Sequence, residues 1–154
     1  MSPSQSGMDR IEKQVRLKAP RARVWRALTD MREFGTWFGV NLSGTVAPGA
    51  RLRGPVTVKG YEHVIMEVTV ETVEPEKLFS FRWHPYAIDP NMDYSSEPTT
   101  LVAFTLEDAD GGTLLTVIES GFDRIPASRR AKAFEMNTGG WAAQMENITR
   151  HLTG

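Results

Sequence analysis

The spacing of hydrophobic and polar residues changes period three times along this chain. "RIEKQVRLKA" (10–19) alternates, with Ile11, Val15 and Leu17 on one side and Glu12, Gln14, Arg16 and Lys18 on the other. That is the pattern of a half-buried strand. "APRARVWRALTD" (19–30) then reads as helix, with Pro20 suited to a first turn and Val24, Trp25 and Leu28 forming one apolar face. Asp30 is placed to cap a second short helix whose stripe is Phe34, Trp37 and Phe38. From 40 to 122 the period is two. "VNLSGTV", "RLRGPVTV", "EHVIMEVTVETV", "KLFSFRW", "TTLVAFTLE" and "TLLTVIESGF" read as strands, punctuated at Pro48-Gly49, Lys59-Gly60, Pro75-Glu76 and Asp110-Gly111-Gly112. Such short connections predict antiparallel neighbours. In "SRRAKAFEMNTGGWAAQMENITRHL" (128–152), Phe134, Thr138, Trp141, Met145, Ile148 and Leu152 line one face of a long helix. Gly139 and Gly140 interrupt it, each costing about 1 kcal/mol relative to alanine. Either they shape one continuous, bent helix, or a cap at Asn137–Gly139 separates two.

Two hairpins fix which side chains share a face. A tight turn at Pro75-Glu76 sets Val70 opposite Phe81, Val68 opposite Trp83 and Glu67 opposite His84, with Arg82 near Glu71. The last hairpin matches apolar to apolar when Leu106 opposes Leu115 and Phe104 opposes Val117. Glu119 then opposes Val102, on the apolar face. A slip of one residue would reverse that.

Composition narrows the options. The chain has 154 residues, 40% hydrophobic and 24% charged. One domain over 9–154 follows, after a small, polar tail at 1–8 read as disordered. Its net charge of -1 and lack of a basic run argue against nucleic acid. The absence of cysteine excludes disulfides, thiolate nucleophiles and cysteine–zinc sites. No stretch approaches the ~20 apolar residues of a membrane span, and no signal peptide opens the chain, so no membrane partner and a cytoplasmic location are expected.

The order of elements (strand, two helices, antiparallel strands, long helix) resembles the START-like, helix-grip superfamily, also called SRPBCC. Within it the chain is most similar to the family named after the activator of heat-shock-protein-90 ATPase. "APRARVWRALTD", "TWF" (36–38), "VETVEPEKLFSFRW", "TTLVAFTLEDADGGTLLTVIESGF" and "GGWAAQMENITRHL" carry the likeness. It implies an α+β fold: a curved antiparallel sheet of six or seven strands gripping the C-terminal helix, with an apolar cavity between them. Gly139 and Gly140 would then keep space open where the helix crosses the sheet.

Glu119 is the sharpest candidate for chemistry. A carboxylate on an apolar face must find donors, from nearby tryptophans or an arginine of 51–53, and can serve as general base, as ligand anchor or as a purely structural acceptor. His63 and His84 form no obvious pair, His84 reads as part of a charged outer face, and His151 as a partner for the helix C-terminus. The loop 86–98 superficially suggests calcium, but Tyr94 and Thr100 stand where that motif needs glycine and glutamate. It is better suited to cover the cavity mouth, with Tyr86, Ile88, Met92 and Tyr94 toward a ligand. The candidate ligand-binding set is Trp37, Phe38, Met66, Phe81, Trp83, Tyr86, Phe104, Val117, Glu119, Trp141 and Met145, with no metal and no cofactor. The expected function is binding of a hydrophobic small molecule by a monomer or homodimer. The alternative is a polyketide-cyclase-like, hydrolase or dehydratase enzyme using the same cavity. A co-chaperone role ranks third, because the activator carries a further N-terminal domain for which this sequence has no room.

Overall fold

A computed structural model describes residues 10–153; the tail expected at 1–8 lies outside them. β1 (Arg10–Leu17) leads into α1 (Arg21–Thr29) and α2 (Met31–Phe38). The Asp30 carboxylate caps α2, accepting from the Arg32 and Glu33 amides at 2.9 and 3.3 Å. Gly39 ends α2 at φ 92°, where an added Cβ would also stand 2.7 Å from Val58 Cγ2. The Trp37 indole donates to Ala27 O at 2.8 Å and so ties α2 to α1.

The remaining strands are β2 (Arg51–Pro55), β3 (Ile65–Glu74), β4 (Leu78–Trp83), β5 (Thr100–Ala109) and β6 (Gly112–Ser120). A 3-10 turn at Phe122–Arg124 precedes α3 (Ala127–Thr153). The six strands form one curved antiparallel sheet in the order β1-β6-β5-β4-β3-β2. The helices carry the chain from one edge to the other, and hairpins then return it until β6 pairs with β1. The strand expected at 40–46 makes only the isolated bridges Val40–Val56 and Ser43–Arg53. Gly44, at φ 125°, turns it out of line.

In the last hairpin Leu106 faces Leu115, Phe104 faces Val117 and Val102 faces Glu119, as the pattern predicts. The β3–β4 hairpin reaches its expected Val70–Phe81 pair by another route. Glu74 pairs with Leu78, so the connection is the three residues Pro75–Lys77, with Glu76 at φ 62°. An irregularity between Val70 and Thr72 takes up the extra residue and restores the register. The ladder ends at Thr69–Arg82, one pair short of Val68–Trp83 and two short of Glu67–His84. Glu71 meets Arg82 at 3.2 Å, while Glu67 pairs with Arg53 at 3.7 Å instead of His84.

α3 runs as one helix through Gly139 and Gly140. Its Ala133, Trp141, Met145 and Ile148 are buried, packing into a core that also takes Val70, Phe81, Phe104 and Val117 from the sheet and Val24, Leu28 and Phe34 from the short helices. Both glycines are exposed, and a Cβ on either would meet nothing within 4 Å. His151 does not serve the end of its own helix; its Nε2 lies 2.8 Å from Glu33 Oε1. Arg23 and Arg26 reach the same carboxylate at 2.7 and 2.8 Å, so Glu33 fastens the end of α3 to α1 and α2. Among the described residues no helix is long and apolar enough to cross a membrane.

Candidate functional site

Glu119 stands on the inner face of β6 with 0% of its surface exposed. Four donors converge on its carboxylate. Trp83 Nε1 and Thr100 Oγ1 donate to Oε2 at 2.7 and 2.6 Å. Trp141 Nε1 and Asn137 Nδ2 donate to Oε1 at 2.8 and 2.9 Å. A carboxylate offers about four lone-pair directions, and indole N–H groups can only donate. The acceptor capacity of Glu119 is therefore used in full by uncharged groups from β4, β5 and α3. The arginine expected from 51–53 takes no part, because Arg51 and Arg53 stand exposed on the edge strand.

Above this network the aromatic side chains close on one another. Phe38 packs edge-on against Trp83 and Trp141 at centroid distances of 6.2 and 5.9 Å, and the two indoles lie 5.9 Å apart. Together they fill most of the space between sheet and helix where a cavity was expected. What stays open there is a slot of ≈ 80 Å³ bordered by Phe38, Trp83, Asn137, Gly140, Trp141 and Gln144. Phe38, Trp83 and Asn137 also form part of the wall of a larger cleft of ≈ 680 Å³. That cleft runs outward between the 63–67 segment and the 84–95 loop, past Met66, His63, His84, Tyr86, Ile88 and Tyr94.

The predicted set thus divides. Phe38, Trp83 and Trp141 border the slot, Met66 and Tyr86 border the cleft, and Glu119 lies beneath, holding two of those indoles. Phe81, Phe104 and Val117 are core beneath the site and line neither opening. Trp37 is occupied with Ala27, and Met145 borders a separate groove of ≈ 470 Å³ between α3 and β1. Sequence reasoning passed over Thr100, Asn137 and Gln144. Asn137 was within reach of it, one helical turn before Trp141 and so on the same face. His84 is not an outer-face residue either, and it borders the cleft together with His63. β4 ends at Trp83, so His84 starts the loop that frames the cleft. Each ring directs Nε2 at a backbone carbonyl, of Ile88 at 3.3 Å and Glu97 at 3.0 Å.

Arg129 of α3 anchors that loop. Its Nε donates to Glu97 Oε1 at 2.8 Å, its Nη1 donates to Pro85 O at 2.7 Å, and its guanidinium lies 4.8 Å from the Tyr94 ring centroid. With side chains only 13% and 11% exposed, Arg129 and Glu97 form a shielded pair at the base of the loop.

An antiparallel sheet closed on a long C-terminal helix, with two short helices after the first strand, defines a START-like, helix-grip protein. Its sequence from 18 to 153 matches the family described as activator of Hsp90 ATPase homolog 1-like protein, and the chain belongs to that family. Similar solved structures include protein MLL2253 from Mesorhizobium loti, at 26% identity and TM-score 0.73, covering 93% of this chain and 96% of that one. DynU16, from the dynemicin biosynthetic locus, is 29% identical with TM-score 0.71; the match covers 94% of this chain and 47% of that one. The Aha1 dimer from Colwellia psychrerythraea, 19% identical with TM-score 0.69, shares the fold over 93% of this chain and 95% of its own. No curated protein matches the sequence.

Proposed function

We propose that the protein binds a hydrophobic small molecule whose body lies in the cleft and whose inner end reaches the Phe38–Trp83–Trp141 slot. The observation that carries this reading is the aromatic inner wall of a ≈ 680 Å³ cleft, a volume in the range of small-molecule sites. The lips support it. Of the large apolar side chains exposed among the described residues, Ile65 and Met92 border the cleft, one on each side of it. On this reading Glu119 is a scaffold: it holds both indoles and Asn137 in place and touches no ligand. Native mass spectrometry of protein purified from its own host tests the proposal, with a co-purified small molecule expected. Tryptophan fluorescence that ignores a panel of apolar probes, with no co-purified mass, would overturn it.

The enzyme alternative has one specific support, the 29% identity to DynU16 from a biosynthetic locus. In that reading the titratable groups at hand are those that border the cleft, His63 and His84 together with Glu67, Asp89 and Asp93, and not the saturated Glu119. Loss of product formation in His84→Gln, with ligand binding retained, would support it. The dimer of the Colwellia protein makes a homodimer the assembly to test for this chain, by light scattering after gel filtration. A co-chaperone role would require the same lips to bind Hsp90, which a pull-down reads directly.

A further inference from the structure

The polar atoms around the slot are almost all engaged. Both indole N–H groups donate to Glu119. Gln144 donates to Phe38 O at 2.8 Å and accepts from Asn147 at 3.0 Å. Asn137 is different. Its Nδ2 is bound to Glu119, while among the described residues no donor is bonded to its Oδ1. The orientation of that amide is not free. An ionised carboxylate can only accept, so it takes the NH2 branch and leaves the carbonyl oxygen as the branch it does not hold. Asn137 borders both the slot and the cleft, and the carbonyl oxygen is the part of its side chain left to face them.

The geometry points to Asn137 Oδ1 as a fixed acceptor for a ligand hydroxyl or N–H, and hence to a hydroxylated aromatic as the ligand class. The reasoning rests on the small-molecule reading above. Aromatic walls on Phe38, Trp83 and Trp141 favour a ring, which packs edge-to-face or offset against them. A slot of ≈ 80 Å³ admits the end of a molecule and not the whole of it. The end that enters meets an acceptor to which no donor of the described residues is bonded, so a ligand donor there gains a bond that an ether, fluoride or methyl cannot make. Glu119 thereby sets ligand polarity without contact, by fixing which way the Asn137 amide points.

Two probes of nearly equal size decide the matter: p-cresol and 4-fluorotoluene, titrated into the intact protein and followed by backbone and Asn-side-chain amide NMR. p-Cresol is expected to bind about 3- to 10-fold more tightly, the ratio one neutral hydrogen bond supplies. Its addition should shift the Asn137 side-chain amide resonances, and Asn137→Ala should erase the preference while both probes still bind. Equal affinities in the wild type, or a preference for 4-fluorotoluene, overturn the inference but leave apolar binding in the cleft standing. Failure of both probes to bind removes this inference and the small-molecule reading together. The wild-type comparison decides even if Asn137→Ala does not fold.

Discussion

Replacing Glu119 by glutamine keeps its shape and removes half of its acceptors. The new NH2 group would face two of the four donors, from Trp83 and Thr100 or from Asn137 and Trp141. A hydrogen bond to a charged group contributes about 1.5–3 kcal/mol, so Glu119→Gln is expected to destabilise the protein by about 2–4 kcal/mol. Thermal unfolding should move down by roughly 5–10 °C; an unchanged melt would show that the network carries no stability. The glycines of α3 behave in the opposite sense. A Cβ at Gly140 meets nothing within 4 Å, so Gly140→Ala should stabilise the helix by about 1 kcal/mol. Gly140→Leu should keep that stability yet close the slot, lowering affinity for p-cresol in the same NMR titration. Gly140 borders the slot, whereas nothing in the structure explains Gly139.

The helices and loops around the site depend on two charged anchors. Burial opposes the charge on Glu33, but hydrogen bonds from His151, Arg23 and Arg26 outweigh it and hold its pKa at about 2, below the ordinary 4.5. A lowered carboxylate pKa contributes stability that is fully present above pH 4.5 and is lost as pH falls toward 2. Denaturation midpoints measured from pH 5 to 2 should therefore fall, and Glu33→Gln should flatten that part of the profile. Arg129 is the corresponding anchor of the 84–98 loop. Arg129→Gln loses the Glu97 ion pair, so hydrogen exchange of amides 84–98 should quicken by roughly tenfold or more while α3 stays protected. If exchange in the loop is unchanged, its order comes from elsewhere. Neither anchor was legible in the sequence. Glu33 and His151 are 118 residues apart, and Arg129 and Glu97 are 32 apart. Charge pairing at such separations follows from the fold and from no local pattern.

On the proposed small-molecule reading, a ligand would enter through the lips of the cleft. Ile65 and Met92 are 47% and 43% exposed, so a charge there costs the fold little. Ile65→Glu is expected to change stability by less than about 0.5 kcal/mol. It should weaken apolar probes several-fold, read as a smaller ligand-induced rise in melting temperature. An equal rise in mutant and wild type would move the site elsewhere. Much of this architecture is local information. The period-two and period-3.6 stretches set the strands and helices, the Asp30 cap set the start of α2, and apolar matching in the last hairpin put Glu119 inward, because side-chain direction in a strand follows from register alone. Other features arise only when distant segments meet. The bulge near Glu71 corrected a turn one residue longer than its sequence implied. The aromatic residues read as a cavity lining packed against one another at 5.9 Å and left only the ≈ 80 Å³ slot between them. The opening was displaced to the loop side, and His63, His84 and Asn137 came to border it. A sequence specifies which faces are apolar, but whether two such faces leave a void between them is decided by volumes summed across the whole fold.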